Sequence, residues 1–231
     1  MVNNLMEASY FKQIVYNKNI TVFYDQTGGG CSFGQNFIPF IAAYPQKFNT
    51  ALEWCSGAGF IGFSLLAHNL CNHITLLEKN KRDHVYLNMT IHKNNLQKSA
   101  KAVRSDNFKY FKPDSDFKGF DLIVGNPPHF NTLYRSGPSE SRLTNDIDWN
   151  IHKEFFRTVH QFIHSKSHII LVENNKHCLN SLKDLKQIAS QYNLKLNGIY
   201  ASEKDKVGTK FDLSTDLLPS DLRYYFLDFS L

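Results

Sequence analysis

Thr50-Ala51-Leu52-Glu53-Trp54-Cys55-Ser56-Gly57-Ala58-Gly59-Phe60-Ile61-Gly62 decides the fold. An apolar run breaks at a glycine-rich turn and resumes as an apolar helix through Leu66 to Leu70. That order of strand, glycine turn and helix opens a doubly wound α/β sheet. Gly57, Gly59 and Gly62 fill the three glycine positions of G-x-G-x-x-G, a turn that lets backbone amides approach a nucleotide-like ligand. The next strand, His73 to Glu78, ends on an acid about 20 residues past the turn, where a carboxylate takes ribose hydroxyls.

Reading outward, Asp83 to Asn94 is a loosely amphipathic helix, and a third strand, Ala100 to Val103, leads to Asp106-Asn107-Phe108. An acid at that strand tip can accept from an adenine amino group while the phenyl ring packs beside it. A fourth strand begins at Phe120. After a polar insert from Asn131 to Asn150, Trp149 and His152 open a helix running to His164, with Phe155, Phe156, Val159 and Phe162 on its apolar face. Trp149 and His152 are candidates to line a site, against core packing as the plainer reading. Strand five is His168 to Glu173, and Leu182 to Tyr192 is a helix. Leu194 to Ala201 and Tyr224 to Phe229 are two final strands joined by a charged connection. Upstream, Tyr10-Phe11 and Ile20 to Tyr24 suggest a helix and a short strand. Gly28-Gly29-Gly30 reads as a flexible connection into a helix from Phe37 to Tyr44, or as a lid with Phe33 and Gln35 facing inward.

The fourth strand ends abruptly, in Leu122-Ile123-Val124-Gly125-Asn126-Pro127-Pro128-His129-Phe130. Two prolines fix φ and remove two donors, and the residue before a proline is pushed out of the helical region. Asn126 is thereby held extended on a rigid ledge. Its side-chain oxygen and the Pro127 carbonyl are two acceptors matched to the two hydrogens of a planar amino group, such as a glutamine amide or the exocyclic nitrogen of adenine. The lone pair of that nitrogen is then aimed at an electrophile, and a ring at His129 or Phe130 stacks on the planar group.

Composition sets the bounds. The 231 residues suit one large domain, and 42% hydrophobic residues with 19 Phe and 11 Tyr suffice for a full core. A formal charge of +5 permits nucleic acid or an acidic partner without requiring one. Cys31, Cys55, Cys71 and Cys178 show no paired spacing, so neither a metal site nor a disulfide framework is expected, and a reducing, cytoplasmic compartment is. No signal peptide or bilayer-spanning run is visible.

Seven strands with helices between them, ending in strand-loop-strand, differ from a dehydrogenase in the tail. From about residue 48 onward they resemble the Rossmann-like fold of S-adenosylmethionine-dependent methyltransferases, with helices on both faces and an antiparallel last strand. The motif set Glu53-x-Cys55-x-Gly57-x-Gly59, Glu78, Asp106 and Asn126-Pro127-Pro128-His129 resembles the amino-methylating, HemK-like branch. The resemblance implies S-adenosylmethionine as cofactor. It implies that Glu53 holds the donor's amino end and that Gly57 and Gly59 let the backbone approach, with Cys55 beside them. Glu78 would bind the ribose, Asp106 with Asn107 the adenine, and Asn126 both donor and target nitrogen. Pro127, Pro128 and His129 complete the catalytic corner, with Phe130, Gln35, Trp149 and His152 toward the substrate. Residues 1–47 are expected as an extension and possible lid on a catalytic domain of 48–231. Cys55 replaces the usual first glycine, and His129 the usual Tyr or Phe.

The expected activity is methylation of a planar amide or amine nitrogen in a protein, peptide or small molecule. An RNA adenine N6 is the alternative acceptor, and an NAD-dependent oxidoreductase the alternative class. A membrane or DNA partner is not expected, since no second domain is visible to flip and read a base.

Overall fold

A computed structural model describes residues 11–25, 31–131, 145–175, 181–203 and 205–231. The Gly28-Gly29-Gly30 loop and most of the Asn131–Asn150 insert lie outside them. The strands are β1 Phe11–Tyr16, β2 Ile20–Asp25, β3 Phe48–Trp54, β4 Cys71–Glu78 and β5 Ala100–Arg104. They continue as β6 Phe120–Gly125, β7 Ile163–Asn174, β8 Lys195–Ala201 and β9 Tyr224–Ser230. The helices are α1 Cys31–Ala42, α2 Phe60–Ala67, α3 Lys81–Lys93, α4 Asn150–Val159 and α5 Ser181–Gln191.

Strands β3 to β9 form one sheet in the order β5-β4-β3-β6-β7-β9-β8. Pairing is parallel from β5 through β7, while β9 runs antiparallel to both β7 and β8. The order reverses between β3 and β6, and open α/β sheets bind ligands in the crevice at such a reversal, beyond the strands' carboxyl ends. The glycine turn after β3 and the proline corner after β6 therefore face the same crevice.

Period-two alternation divides the core into two layers. Ala51, Leu122, Val124, Ile170, Val172 and Phe226 join one cluster with α1, α2 and α3. Leu52, Trp54, Ile123, Leu171, Tyr225 and Leu227 join the other with α4 and α5. The parity matters at strand ends. Val172 falls on the α1–α3 face, so Glu173 falls on the face carrying α4.

Upstream of the sheet the structure corrects the expectation. Phe11–Tyr16 is a strand, paired antiparallel with Ile20–Asp25. Asn17 and Lys18 at the turn have φ of 46° and 59°, the left-handed backbone that closes tight hairpins. The Asn17 amide donates to the Ala67 carbonyl at 2.9 Å, and Thr21 N–H and Phe23 N–H donate to Asn94, which caps α3, and to Thr90 in its last turn. The hairpin is thus fastened across the ends of α2 and α3. Helix α1 begins at Cys31, well before Phe37. Gly34 reads as a breaker, yet a Cβ there would lie 2.3 Å from the Phe60 carbonyl. It is a contact glycine where α1 crosses α2, not a loop residue. The fourth helix ends before His164. A 3₁₀ turn, His160–Phe162, follows it, and the chain is extended from Ile163, giving β7 a longer N-terminal half than the apolar run alone suggests.

Candidate active site

The turn after β3 is built for close approach. Gly57 has φ of 52°, and a Cβ added there would meet nothing within 4 Å, so the turn's surface is open space. Gly62 is needed for packing instead, since a Cβ would press on Ile74, Leu76 and the Glu53 carboxylate at 2.8–2.9 Å. Cys55 also lies in the left-handed region, at φ 53°. Glycine occupies that conformation without strain, whereas a residue with a Cβ pays roughly 1–2 kcal/mol.

The two strand-end acids of the turn have different partners. Glu53, 2% exposed, accepts from the backbone N–H groups of Ile61 at 3.2 Å and Gly62 at 2.7 Å. It anchors the N-terminus of α2 from below, so any influence on a donor's amino end passes through that turn. Burial pushes its carboxyl up to about 8, against the pull of the two amides. Glu78 accepts from Gly57 N–H at 2.7 Å and Asn80 N–H at 2.6 Å, which fixes its carboxylate directly against the glycine turn. Burial raises its pKa while these amides lower it.

Beyond β5, Asn107 has φ of 49° and accepts from the Trp54 indole at 2.6 Å. Asp106 is half exposed and pairs with Lys79 at 2.7 Å. Phe108 is buried among Phe111, Phe155 and Phe162 rather than open to a ligand.

At the proline corner, the Asn126 Oδ1 is buried and accepts no hydrogen bond from the described residues. The Ser56 Oγ, in the glycine turn, is in the same state. Buried acceptors left unpaired cost about 1–3 kcal/mol each, so orphans on both ledges of one crevice mark where a ligand's donors belong. Phe130 is buried, and its carbonyl accepts from Asp146 N–H at 2.7 Å. That bond closes the base of the insert onto the corner.

His129 is held by its Nδ1, 3.2 Å from Glu173 Oε2. The other Glu173 oxygen lies 3.0 Å from His152 Nε2, and His152 Nδ1 lies 2.6 Å from Asp146 Oδ2. His152 and Trp149 are buried, so neither lines the open crevice: His152 reaches the corner through Glu173, and the Trp149 indole donates to Asp184. Gln35 is exposed on α1 rather than turned inward, whereas Phe33 is buried edge-on against Tyr224, whose ring lies 6.0 Å from that of His129. Asp146 carried no signal in the sequence, because a lone acid in a polar insert looks like any turn residue. Glu173 was visible as a strand-end acid whose place resembles the HemK-type pattern.

An open glycine turn with an acid locked against it, facing an unsatisfied amide on a proline corner, fits a nucleoside-bearing sulfonium. The fold and this crevice define an S-adenosylmethionine-dependent methyltransferase. The model of the methyltransferase small domain matches residues 40–201, and the chain belongs to that family. Curated proteins gave no match. Among solved structures, TYW2 of M. jannaschii in complex with AdoMet is similar at TM-score 0.59 and 12% identity, over 96% of this chain and 87% of that one. A ribosomal protein L11 methylase from Lactobacillus delbrueckii subsp. bulgaricus is similar at TM-score 0.54 and 13% identity, covering 88% of this chain and 80% of that one. The B. subtilis M1A22 tRNA methyltransferase TrmK is similar at TM-score 0.56 and 9% identity, over 85% of this chain and 65% of that one. At such identities the likeness is one of fold. The cofactor is S-adenosylmethionine. Among the described residues no helix is long and apolar enough to cross a membrane.

Proposed function

We propose that the chain methylates a planar amide or amine nitrogen of a protein, peptide or small molecule, held at the Asn126-Pro127-Pro128-His129 corner. The observation that carries this reading is the buried, unpartnered Asn126 Oδ1. It and the Pro127 carbonyl accept the two hydrogens of the target nitrogen. The prolines keep both acceptors rigid, so the lone pair is oriented before reaction rather than during it. S-adenosylmethionine, when bound, supplies an electrophilic methyl group on sulfonium. Glu78 binds the ribose, Asp106 and Asn107 the adenine edge, and the open surface of the Gly57–Gly59 turn receives the methionine end, with Glu53 and Cys55 shaping that turn. Phe130 supports the acceptor pocket from behind. Residues 48–231 form the catalytic domain, and the preceding hairpin and α1 are an extension fastened over it. The free thiols of Cys55 and Cys71 suit a reducing compartment such as the cytoplasm.

An RNA adenine is the competing acceptor, favoured by the formal charge of +5 and by the structural likeness to a tRNA methyltransferase. Incubation with methyl-labelled donor and separate pools of cellular protein, small molecules and RNA distinguishes the two. Label in the protein or small-molecule pool, lost in Asn126→Ala while donor binding persists in calorimetry, is the expected result. Label confined to RNA moves the acceptor to adenine, and unchanged turnover in Asn126→Ala removes the role given to that amide.

A further inference from the structure

Behind the proline corner four ionisable side chains run in one unbroken buried line: His129, Glu173, His152 and Asp146. Glu173 and His152 are fully buried, and Asp146 is 1% exposed. Only the His129 end reaches the crevice, with its side chain 12% exposed. Four such groups are expensive to bury, and apolar residues would pack the same space at lower cost.

The surrounding backbone is also held at a cost. Asp148 and Trp149 are successive non-glycine residues in the left-handed region, at φ 55° and 57°. Each carries roughly 1–2 kcal/mol of strain. The kink they make is what brings α4 in with His152 aimed at Glu173. Asp146 secures it, accepting from the backbone N–H groups of Ile151 at 2.7 Å and His152 at 3.0 Å. Strain kept in place by several bonds is a feature of functional sites.

The bonding pattern fixes the protons. Both ring nitrogens of His152 face carboxylates, so both donate and the ring is an imidazolium. Burial alone would drive that proton off, but the Glu173 charge and the bonds to both acids hold it on. Glu173 is kept ionised against its own burial by His152 and His129. Its second oxygen therefore accepts from His129, which places the His129 hydrogen on Nδ1. Imidazole geometry then points Nε2 away from Glu173, and no described residue makes a hydrogen bond to it. Among the described residues, the rings of Phe130 and Tyr224 lie beside this one, and Arg223 stacks on Tyr224.

We propose that Glu173, His152 and Asp146 are positioning residues that hold His129 as the proton acceptor of the transfer. The acceptor is accordingly a nitrogen that still carries a proton as the new bond forms, such as an amide or a primary or secondary amine, and not a proton-free ring nitrogen, tertiary amine or thioether. This rests on the nitrogen-methylating reading above. The nitrogen lone pair forms the N–C bond as the S–C bond breaks, and that bond's electron pair stays on sulfur. The nitrogen is left with a positive charge and one surplus proton. The proton passes to His129 Nε2 and from there to water.

The test begins with the ligand-free, full-length protein labelled with ¹⁵N-histidine. Long-range nitrogen–proton spectra at pH 8 are expected to show His129 protonated on Nδ1 and His152 on both nitrogens. In Glu173→Gln the His129 proton should redistribute toward Nε2, and methyl transfer to the labelled acceptor pool should fall by about a hundredfold. Donor affinity measured by calorimetry should stay the same. A wild-type His129 protonated on Nε2 overturns the inference alone, whether or not any variant folds. So does a folded Glu173→Gln with wild-type turnover. Methyl recovered on sulfur or on a nitrogen without a proton, beside the expected tautomer, instead overturns the nitrogen-methylating reading and the inference with it.

Discussion

Asn126 is a residue kept in a poor state for the ligand-free protein. Its side-chain oxygen is sealed from water and accepts no hydrogen bond from the described residues, although it stands on an extended, proline-fixed backbone where a different rotamer or residue would avoid the cost. Replacing it by alanine removes the orphan along with the amide, and a buried unpaired acceptor costs about 1–3 kcal/mol. Asn126→Ala is therefore expected to melt no lower than the wild type when ligand-free while losing methyl transfer. Thermal unfolding monitored by circular dichroism checks the stability half. A melting point several degrees lower would mean that Asn126 is a structural residue with bonds of its own. The same logic applies at Cys55, where a side chain occupies a left-handed backbone that glycine fills freely.

At the scale of elements, α4 is the piece on which the site depends most, and an aromatic column sets its place. Phe155 stacks on Trp54 with centroids 4.0 Å apart and an interplanar angle of 19°, and Phe108 continues the stack toward Phe162. Trp54 in turn donates to Asn107, so one column joins the end of β3, the loop after β5 and α4. Phe155→Ala is expected to cost about 3–5 kcal/mol of stability. It should also weaken donor binding, because Trp54 loses the surface that orients its indole. Urea midpoints and calorimetry with S-adenosylmethionine read the two effects. Unaltered donor affinity in a destabilised protein would confine the column to packing. The apolar face of α4 was legible in the sequence from the spacing of Phe155, Phe156 and Val159, and so were the sheet strands, whose runs alternate or are uniformly apolar. What the sequence hid lay where local pattern and tertiary need disagree. Gly34 looks like a breaker yet sits inside α1, because α2 leaves no room for a Cβ. Phe11–Tyr16 has no helical period, but its strand character shows only through pairing with β2. The crevice residues Glu78, Asp106 and Asn126 were marked by strand ends and motif spacing. The line from Glu173 to Asp146 was not, since its members are 27 residues apart in the chain and meet only when α4 packs on the sheet.

For the whole molecule, buried ionisable groups on both faces of the sheet set how stability varies with pH. His152, held up at about 9 by Glu173 and Asp146 against its burial, loses its proton near 6.5 in an unfolded chain. The fold binds that proton more tightly, so its contribution is complete below 6.5 and disappears as the pH rises through 9. Glu53, pushed up to about 8 by burial, acts in the same sense, with a contribution present below 4.5 and lost as the pH rises through 8. Glu173 and Asp121 act oppositely. Burial would raise both, but His152 and His129 lower Glu173, while the Thr50 and Asn49 amides and His164 lower Asp121. Their contributions are present above the ordinary carboxylate range and lost as the pH falls below it. The protein is therefore expected to be most stable at roughly pH 4.5 and to weaken steadily toward pH 9, with unfolding releasing the extra protons. Urea unfolding midpoints across pH 4 to 9 measure this directly. A level plateau from pH 6.5 to 9 would mean that His152 is neutral in the folded protein. One of its ring nitrogens would then face a carboxylate without a hydrogen to give, and the line of protons reaching His129 would be broken at His152.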